Sequence, residues 1–100
     1  MTGYRLTADA QDDLVSIGEF IWQGNPERAI SFVDELTGRF RIIADRPKSF
    51  PARDHVLKGL RSAGYGRYLI LFRLERDHIL ILRVLHSARN VAKILRDQAQ

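Results

Sequence analysis

Apolar side chains recur along the chain with two different periods, and the change of period divides it. Ala10, Leu14, Ile17 and Ile21 fall at helical spacing, with Trp22 beside them. Thr7 can cap this helix, and Asp9, Asp12 and Asp13 stand where the helix dipole favours negative charge. The first helix is expected to end near Gly24. Asn25-Pro26 then joins a capping residue to a proline at the first helical position, a signal for a new helix. Ala29, Phe32, Val33, Leu36, Phe40 and Ile43 carry the same period toward Pro47, where it must stop. Two helices with so short a link fold back as an antiparallel hairpin.

On either side of the helices the period shortens. Tyr4 to Leu6 is a short strand before the first helix. Pro47 to Lys58, with two prolines and mixed charge, reads as loop. Leu57 to Ser62 is a strand candidate, followed by a glycine-rich turn at Ala63-Gly64-Tyr65-Gly66. Arg67 to Leu74 and His78 to His86 are strands around the polar turn Glu75-Arg76-Asp77, which predicts a β-hairpin. Tyr68, Ile70 and Phe72 share one face. Both strands are apolar at nearly every position, as expected for central strands with one face under the helix hairpin and the other partly covered. Val91 to Leu95 can form a short last helix. The expected fold class is α+β: an N-terminal helix hairpin packed on a small, mostly antiparallel sheet, in the order β-α-α-β-β-β. Residues 1–100 are expected to make a single domain, since 100 residues lie near the common domain size.

Charge adds an asymmetry to this plan. Residues 1–50 carry 6 basic and 8 acidic side chains, whereas residues 51–100 carry 10 basic and 4 acidic. The positive field of the second half suits nucleic acid or an acidic protein partner. The chain has no cysteine, which excludes disulfides, thiolate metal sites and a cysteine nucleophile. His55, His78 and His86 lack metal-ligand spacing, and Gly59 to Gly64 is not followed by the Lys-Ser/Thr of a phosphate loop. Ser62 and Ser87 lack the surroundings of a nucleophile elbow. No cofactor or metal is expected. The amino terminus does not read as a signal peptide and no apolar run could span a membrane, so the expected location is the cytoplasm.

Several ordered pieces resemble one family. They are Tyr4-Arg5-Leu6-Thr7 with Ala10, Asp13-Leu14 and Ile17; Ala29 with Phe32 and Leu36 with Phe40; and Arg53, Leu57 and Gly59-Leu60-Arg61. Gly66 to Arg73 looks like a central strand, and Arg83-Val84-Leu85-His86-Ser87-Ala88-Arg89-Asn90 like a last strand and its exit. Together, over roughly Tyr4 to Leu95, they resemble the RelE/ParE superfamily, the toxin half of bacterial type II toxin–antitoxin pairs. That resemblance implies one of two activities. RelE-like members are ribosome-dependent endonucleases that cut messenger RNA, and ParE-like members act on DNA gyrase and block replication.

Metal-free RNA cleavage needs a base, an acid and cations around the phosphorane. By resemblance the nuclease set would be His86, Arg67 and Arg61. Ser87 stands where histidine-using relatives carry tyrosine, and the loop offers Lys48, Arg53 and Lys58 rather than a close lysine pair. His55 reads as exposed, His78 as surface, and His86 as an orienting residue bonded to backbone or a neighbouring turn. Tyr68, Phe72 and Trp22 read as packing residues rather than stacking platforms. Arg61, Arg67, Arg73, Arg83, His86 and Arg89 are then expected to bind a target or partner, with arginine stems lying over apolar strands. The ParE-like branch is favoured. Its implied partners are a cognate antitoxin, of ParD-like ribbon-helix-helix type, and DNA gyrase as target. Operator DNA would be touched only through the antitoxin. The antitoxin segment is expected to be acidic and amphipathic, and to lie along the helix hairpin and the sheet edge.

Overall fold

The computed structural model of the chain describes residues 3–99. It contains β1 (Gly3–Leu6), α1 (Ala8–Trp22), α2 (Pro26–Asp45), a single 3-10 turn (Pro47–Ser49), β2 (Leu60–Tyr65), β3 (Tyr68–Leu74), β4 (His78–His86) and α3 (Val91–Ala99). The caps anticipated from the sequence are made. Thr7 Oγ1 accepts from the Ala10 N–H at 3.0 Å, and Asn25 Oδ1 accepts from the Arg28 N–H at 3.0 Å. Thr7 also donates its hydroxyl to the Leu82 carbonyl at 2.8 Å, so the residue that starts α1 also fixes that helix to β4.

The sheet has the order β1-β4-β3-β2, which puts the two most apolar strands in the centre. β2 with β3 and β3 with β4 are antiparallel, and β1 runs parallel to β4. One face carries Ile70, Phe72, Ile79, Ile81 and Val84 against Ile17, Phe32, Leu36, Phe40 and Ile43 of the helix hairpin. The other face carries Leu60, Leu71 and Leu85 under Leu95 of α3, with Val56 and Leu57 of the loop at its margin. The sheet is therefore an apolar layer between two covers, which is why β3 and β4 show so little alternation.

The structure moves several boundaries. β2 begins at Leu60 rather than Leu57 and continues through Ala63, Gly64 and Tyr65, which read as turn in the sequence. Pairing with the whole length of β3, from Leu60↔Arg73 to Tyr65↔Tyr68, overrides the weak strand preference of Gly64. The turn shrinks to Gly66-Arg67, where Gly66 alone has positive φ (57°), the pattern of a type II′ hairpin. α1 ends at Trp22, slightly before Gly24, and α3 runs on to Ala99 rather than ending at Leu95. A β-bulge between β3 and β4 also shifts the register at Leu71/Phe72, leaving Leu82 between the pairs Phe72↔Ile81 and Leu71↔Arg83.

Candidate functional site

The six side chains picked out from the sequence divide into three settings. Arg83 is committed inside the molecule. Its Nε and Nη2 each donate at 2.7 Å to the carboxylate of Asp13 on α1, and the same carboxylate accepts the Val84 N–H at 2.9 Å. The two side chains are only 15% and 11% exposed. The hydrogen bond to Asp13 raises the Arg83 pKa above its ordinary value, with further help from the charges of Asp9 and Asp12. β1 accompanies β4 only as far as Leu6↔Ile81, so Asp13 serves the strand edge where β1 has ended. Asp13 is thus a structural anchor as well as a charge near the helix start.

Arg67, His86 and Arg89 gather at one corner. Arg67 is exposed in the Gly66-Arg67 turn, and its carbonyl accepts the Ser87 N–H at 2.8 Å. Arg89 is exposed just beyond β4, its N–H donating to the His86 carbonyl at 3.0 Å. The His86 ring meets the edge of Tyr68 with centroids 5.5 Å apart, and its Nδ1 accepts the Ala88 N–H at 3.1 Å. A neutral ring bonded this way keeps its proton on Nε2, so it offers a donor rather than a free basic lone pair. Phe20 of α1, 72% exposed, lines the cleft between α1 and this corner.

Arg61 and Arg73 lie elsewhere. Arg61 is the register partner of Phe72, four residues along β3 from Tyr68, roughly 13 Å at about 3.3 Å per residue. Its Nη1 donates to the Phe50 carbonyl at 2.7 Å. The structure therefore does not bring Arg61 to Arg67 and His86. Arg73 donates from Nε to Glu75 at 3.2 Å. His55 is exposed, whereas His78 is more covered than expected, 22% exposed with Nδ1 2.8 Å from Asp77. That contact holds the Asp77 carboxyl below its usual pKa. Among the described residues no group of three or more His, Asp or Glu could hold a metal ion.

One feature the sequence did not reveal is a groove on the outer face of the helix hairpin. Leu14, Val15, Gly18 and Trp22 of α1 form one wall. Ala29, Ile30 and Val33 of α2 form the other, meeting α1 at Gly18 and Trp22. Gly18 lies where the helices meet, and a Cβ there would make only an ordinary contact, 3.6 Å from Val33 Cγ2. Trp22 is 54% exposed, Val15 59% and Ile30 60%. Trp22 is thus not the packing residue expected but the largest side chain of an apolar strip open to solvent. The strip has acidic margins, Glu19 on α1 and Asp34 on α2. A second apolar stripe on α1, with Val15 and Trp22 seven residues apart, was the available signal. It lies off the buried Ala10–Ile17 line.

Beside the groove, where α2 meets β2, a charged network is closed on itself. Arg28 donates to both carboxylate oxygens of Glu35, at 2.6 and 3.3 Å, and the Tyr65 hydroxyl donates to Glu35 at 2.5 Å. The Arg28 hydrogen bond, and after it that of Tyr65, holds the Glu35 pKa below its ordinary value. Arg28 also lies over the Phe32 ring, 5.1 Å from its centroid.

Against known proteins, residues 4–91 match the family model described as the ParE toxin of the type II toxin–antitoxin system, parDE. Among solved structures, one described as the chromosomal ParDE TA system from P. aeruginosa superposes with a TM-score of 0.73 at 21% sequence identity. The match covers 86% of this chain and 96% of that one. At that identity the likeness speaks for the fold. No curated protein matches the chain.

Proposed function

The chain belongs to the ParE toxin family of type II toxin–antitoxin systems, and from that premise we propose that it inhibits DNA gyrase and so blocks replication until a cognate antitoxin neutralises it. The observation that carries this reading is the open apolar groove around Trp22, beside a nuclease set from which Arg61 stands apart. A protein that works by binding needs such a strip, with an aromatic anchor at its centre. A nuclease using His86, Arg67 and Arg61 needs those groups on one scissile phosphate, and Arg61 stands about 13 Å along the sheet from the other two. His86 also has its Nδ1 lone pair engaged by Ala88.

The antitoxin is read as a ParD-like ribbon-helix-helix protein whose C-terminal segment folds onto this chain. An amphipathic helix laid between α1 and α2 would cover Val15, Trp22 and Ile30. The acidic margins at Glu19 and Asp34 favour basic or neutral flanks on that helix. The acidic part of the antitoxin belongs on the Arg67–Arg89 side. Operator DNA would be reached through the antitoxin, and the complex would work in the cytoplasm. No helix among the described residues is long and apolar enough to cross a membrane.

The test is a supercoiling assay with purified gyrase and purified toxin. Inhibition, or accumulation of cleaved DNA, is expected, and added antitoxin should reverse it. Undiminished gyrase activity at saturating toxin, together with ribosome-dependent messenger cleavage lost in His86→Ala, would replace this reading by the RelE-like one.

A further inference from the structure

The family reading leaves one part of the molecule without a role. Residues 46–61 carry five basic side chains and one acidic one, a balance of +4 that equals the net charge of the whole chain. The helix hairpin, residues 8–45, is the reverse, with eight acidic and three basic side chains. The positive charge near the hairpin is therefore concentrated where the segment after α2 runs along the outer edge of β2. There Ala52 bridges Arg61 and the Ser62 N–H donates to the Pro51 carbonyl at 3.1 Å.

Two guanidinium groups meet at Phe50 in this segment. Arg39 reaches from α2 to lie over the Phe50 ring, 5.4 Å from its centroid. Arg61 reaches from β2 to the Phe50 carbonyl. The Phe50 ring is itself set edge-on against the buried Phe72, with centroids 6.1 Å apart, which anchors it to the sheet. The contrast with the neighbouring network is chemical. Arg28 has its carboxylate in Glu35, and Glu35 is already shared with Tyr65. Neither Arg39 nor Arg61 makes a salt bridge to a carboxylate among the described residues, and the shielded Arg39 Nε finds no acceptor there. A guanidinium offers five N–H donors in a planar fork suited to an oxyanion. Two such forks reach Phe50, and one of them keeps a shielded Nε–H without an acceptor among the described residues.

We propose that this seam between α2 and β2, centred on Arg39, Phe50 and Arg61, binds the phosphate backbone of duplex DNA directly, so that the toxin touches the DNA on which its target works. A single carboxylate from a protein would answer the arginine pair and leave the surrounding field unmatched. Lys48 and Lys58 are both exposed in the same segment, and a chain of phosphates answers them together. Duplex DNA is chosen over other polyanions because the inference rests on the gyrase reading. The binding itself needs no gyrase.

The experiment is fluorescence anisotropy of a labelled duplex oligonucleotide titrated with purified toxin, without gyrase, over a series of salt concentrations. Binding should weaken linearly in log Kd against log salt. The double variant Arg39→Gln/Arg61→Gln should lower that slope by about two units, one for each phosphate contact removed. Its affinity at 0.1 M salt should fall by roughly eightfold per contact. A thermal melt checks that the variant is folded. If it is not, Lys48→Glu/Lys58→Glu, on exposed side chains, takes its place and should weaken binding in the same direction. No salt-dependent binding, or unchanged slopes in a folded variant, overturns the proposal. So does tighter binding of a single-stranded RNA, or displacement of the DNA by an acidic peptide of equal charge. Gyrase inhibition without DNA binding would sink this inference alone. DNA binding with undisturbed gyrase would sink only the gyrase reading.

Discussion

Replacing Asp13 with alanine should cost this molecule more stability than its place in the first turns of α1 suggests. The carboxylate meets three donors, two on Arg83 and the backbone N–H of Val84, and both side chains are largely covered. Asp13→Ala leaves a covered guanidinium without its main counter-charge, a change that costs about 3–5 kcal/mol when a buried pair is broken from one side. It also strands the Val84 N–H, for which about 1–3 kcal/mol is usual. The charges of Asp9 and Asp12 also act on Arg83 and offset part of the loss, which puts the expected total near 3 kcal/mol. At about 4–8 °C per kcal/mol for a domain of this size, the midpoint should drop by roughly 12–24 °C. Urea denaturation followed by circular dichroism measures the loss, and a double-mutant cycle gives its origin. Arg83→Met placed on Asp13→Ala should recover stability, because it removes a covered charge that has lost its main counter-charge. A cost below about 1 kcal/mol for Asp13→Ala, or strict additivity of the two changes, would refute the reasoning.

Three other outcomes are expected. Trp22→Ala should leave the melting point nearly unchanged, since the side chain is half exposed, while weakening antitoxin binding about 30-fold or more in a calorimetric titration. Equal affinity would exclude the groove as the antitoxin site. Gly59→Ala should destabilise by about 1–2 kcal/mol, because φ is 81° there and the added Cβ meets only ordinary contact at 3.5 Å from Arg73. A neutral result in chemical denaturation would show that the Gly59 conformation relaxes freely. Glu35 and Asp77 have folded pKa values below their ordinary ones, so each stabilises the fold above its unfolded pKa and ceases to as pH falls through the folded value. Stability should therefore decline as pH falls below about 5, and Glu35→Gln should flatten the decline. An unchanged slope in that variant would show that Glu35 is not among the groups responsible.

Much of the architecture was legible because it is locally encoded. Asn25-Pro26 marks the hairpin corner with a cap and a proline, and the caps form as written. Glu75-Arg76-Asp77 separates two apolar runs, and β4 occupies His78–His86 as the pattern predicts. What was misread depended on partners distant in sequence. Ala63-Gly64-Tyr65 has turn composition and becomes strand only because β3 is long enough to pair with it. Asp13 was legible as a helix-start charge, but no spacing rule links residue 13 to residue 83. The site was less legible than the fold for a related reason. Trp22 and Val15 have the composition of a core, and the placement of the sheet on the other side of α1 decides which of its two apolar stripes faces outward. The arginines could be found by type, but whether each was already satisfied, as Arg83 is and Arg39 is not, is a property of the assembled chain.

The parallel pairing of β1 with β4 has a consequence for how the molecule is made. Gly3 to Leu6 must wait for His78 to Ile81 before they have a strand to join. During synthesis the helix hairpin is complete long before its floor exists, with Ile17, Phe32, Leu36 and Phe40 uncovered. Nonlocal closure of this kind is slow and exposes a growing chain to aggregation and to capture by other proteins. A truncated chain ending before β4 lacks the central strand that pairs with β1 and β3 and packs under α1, so the fold cannot be assembled without it.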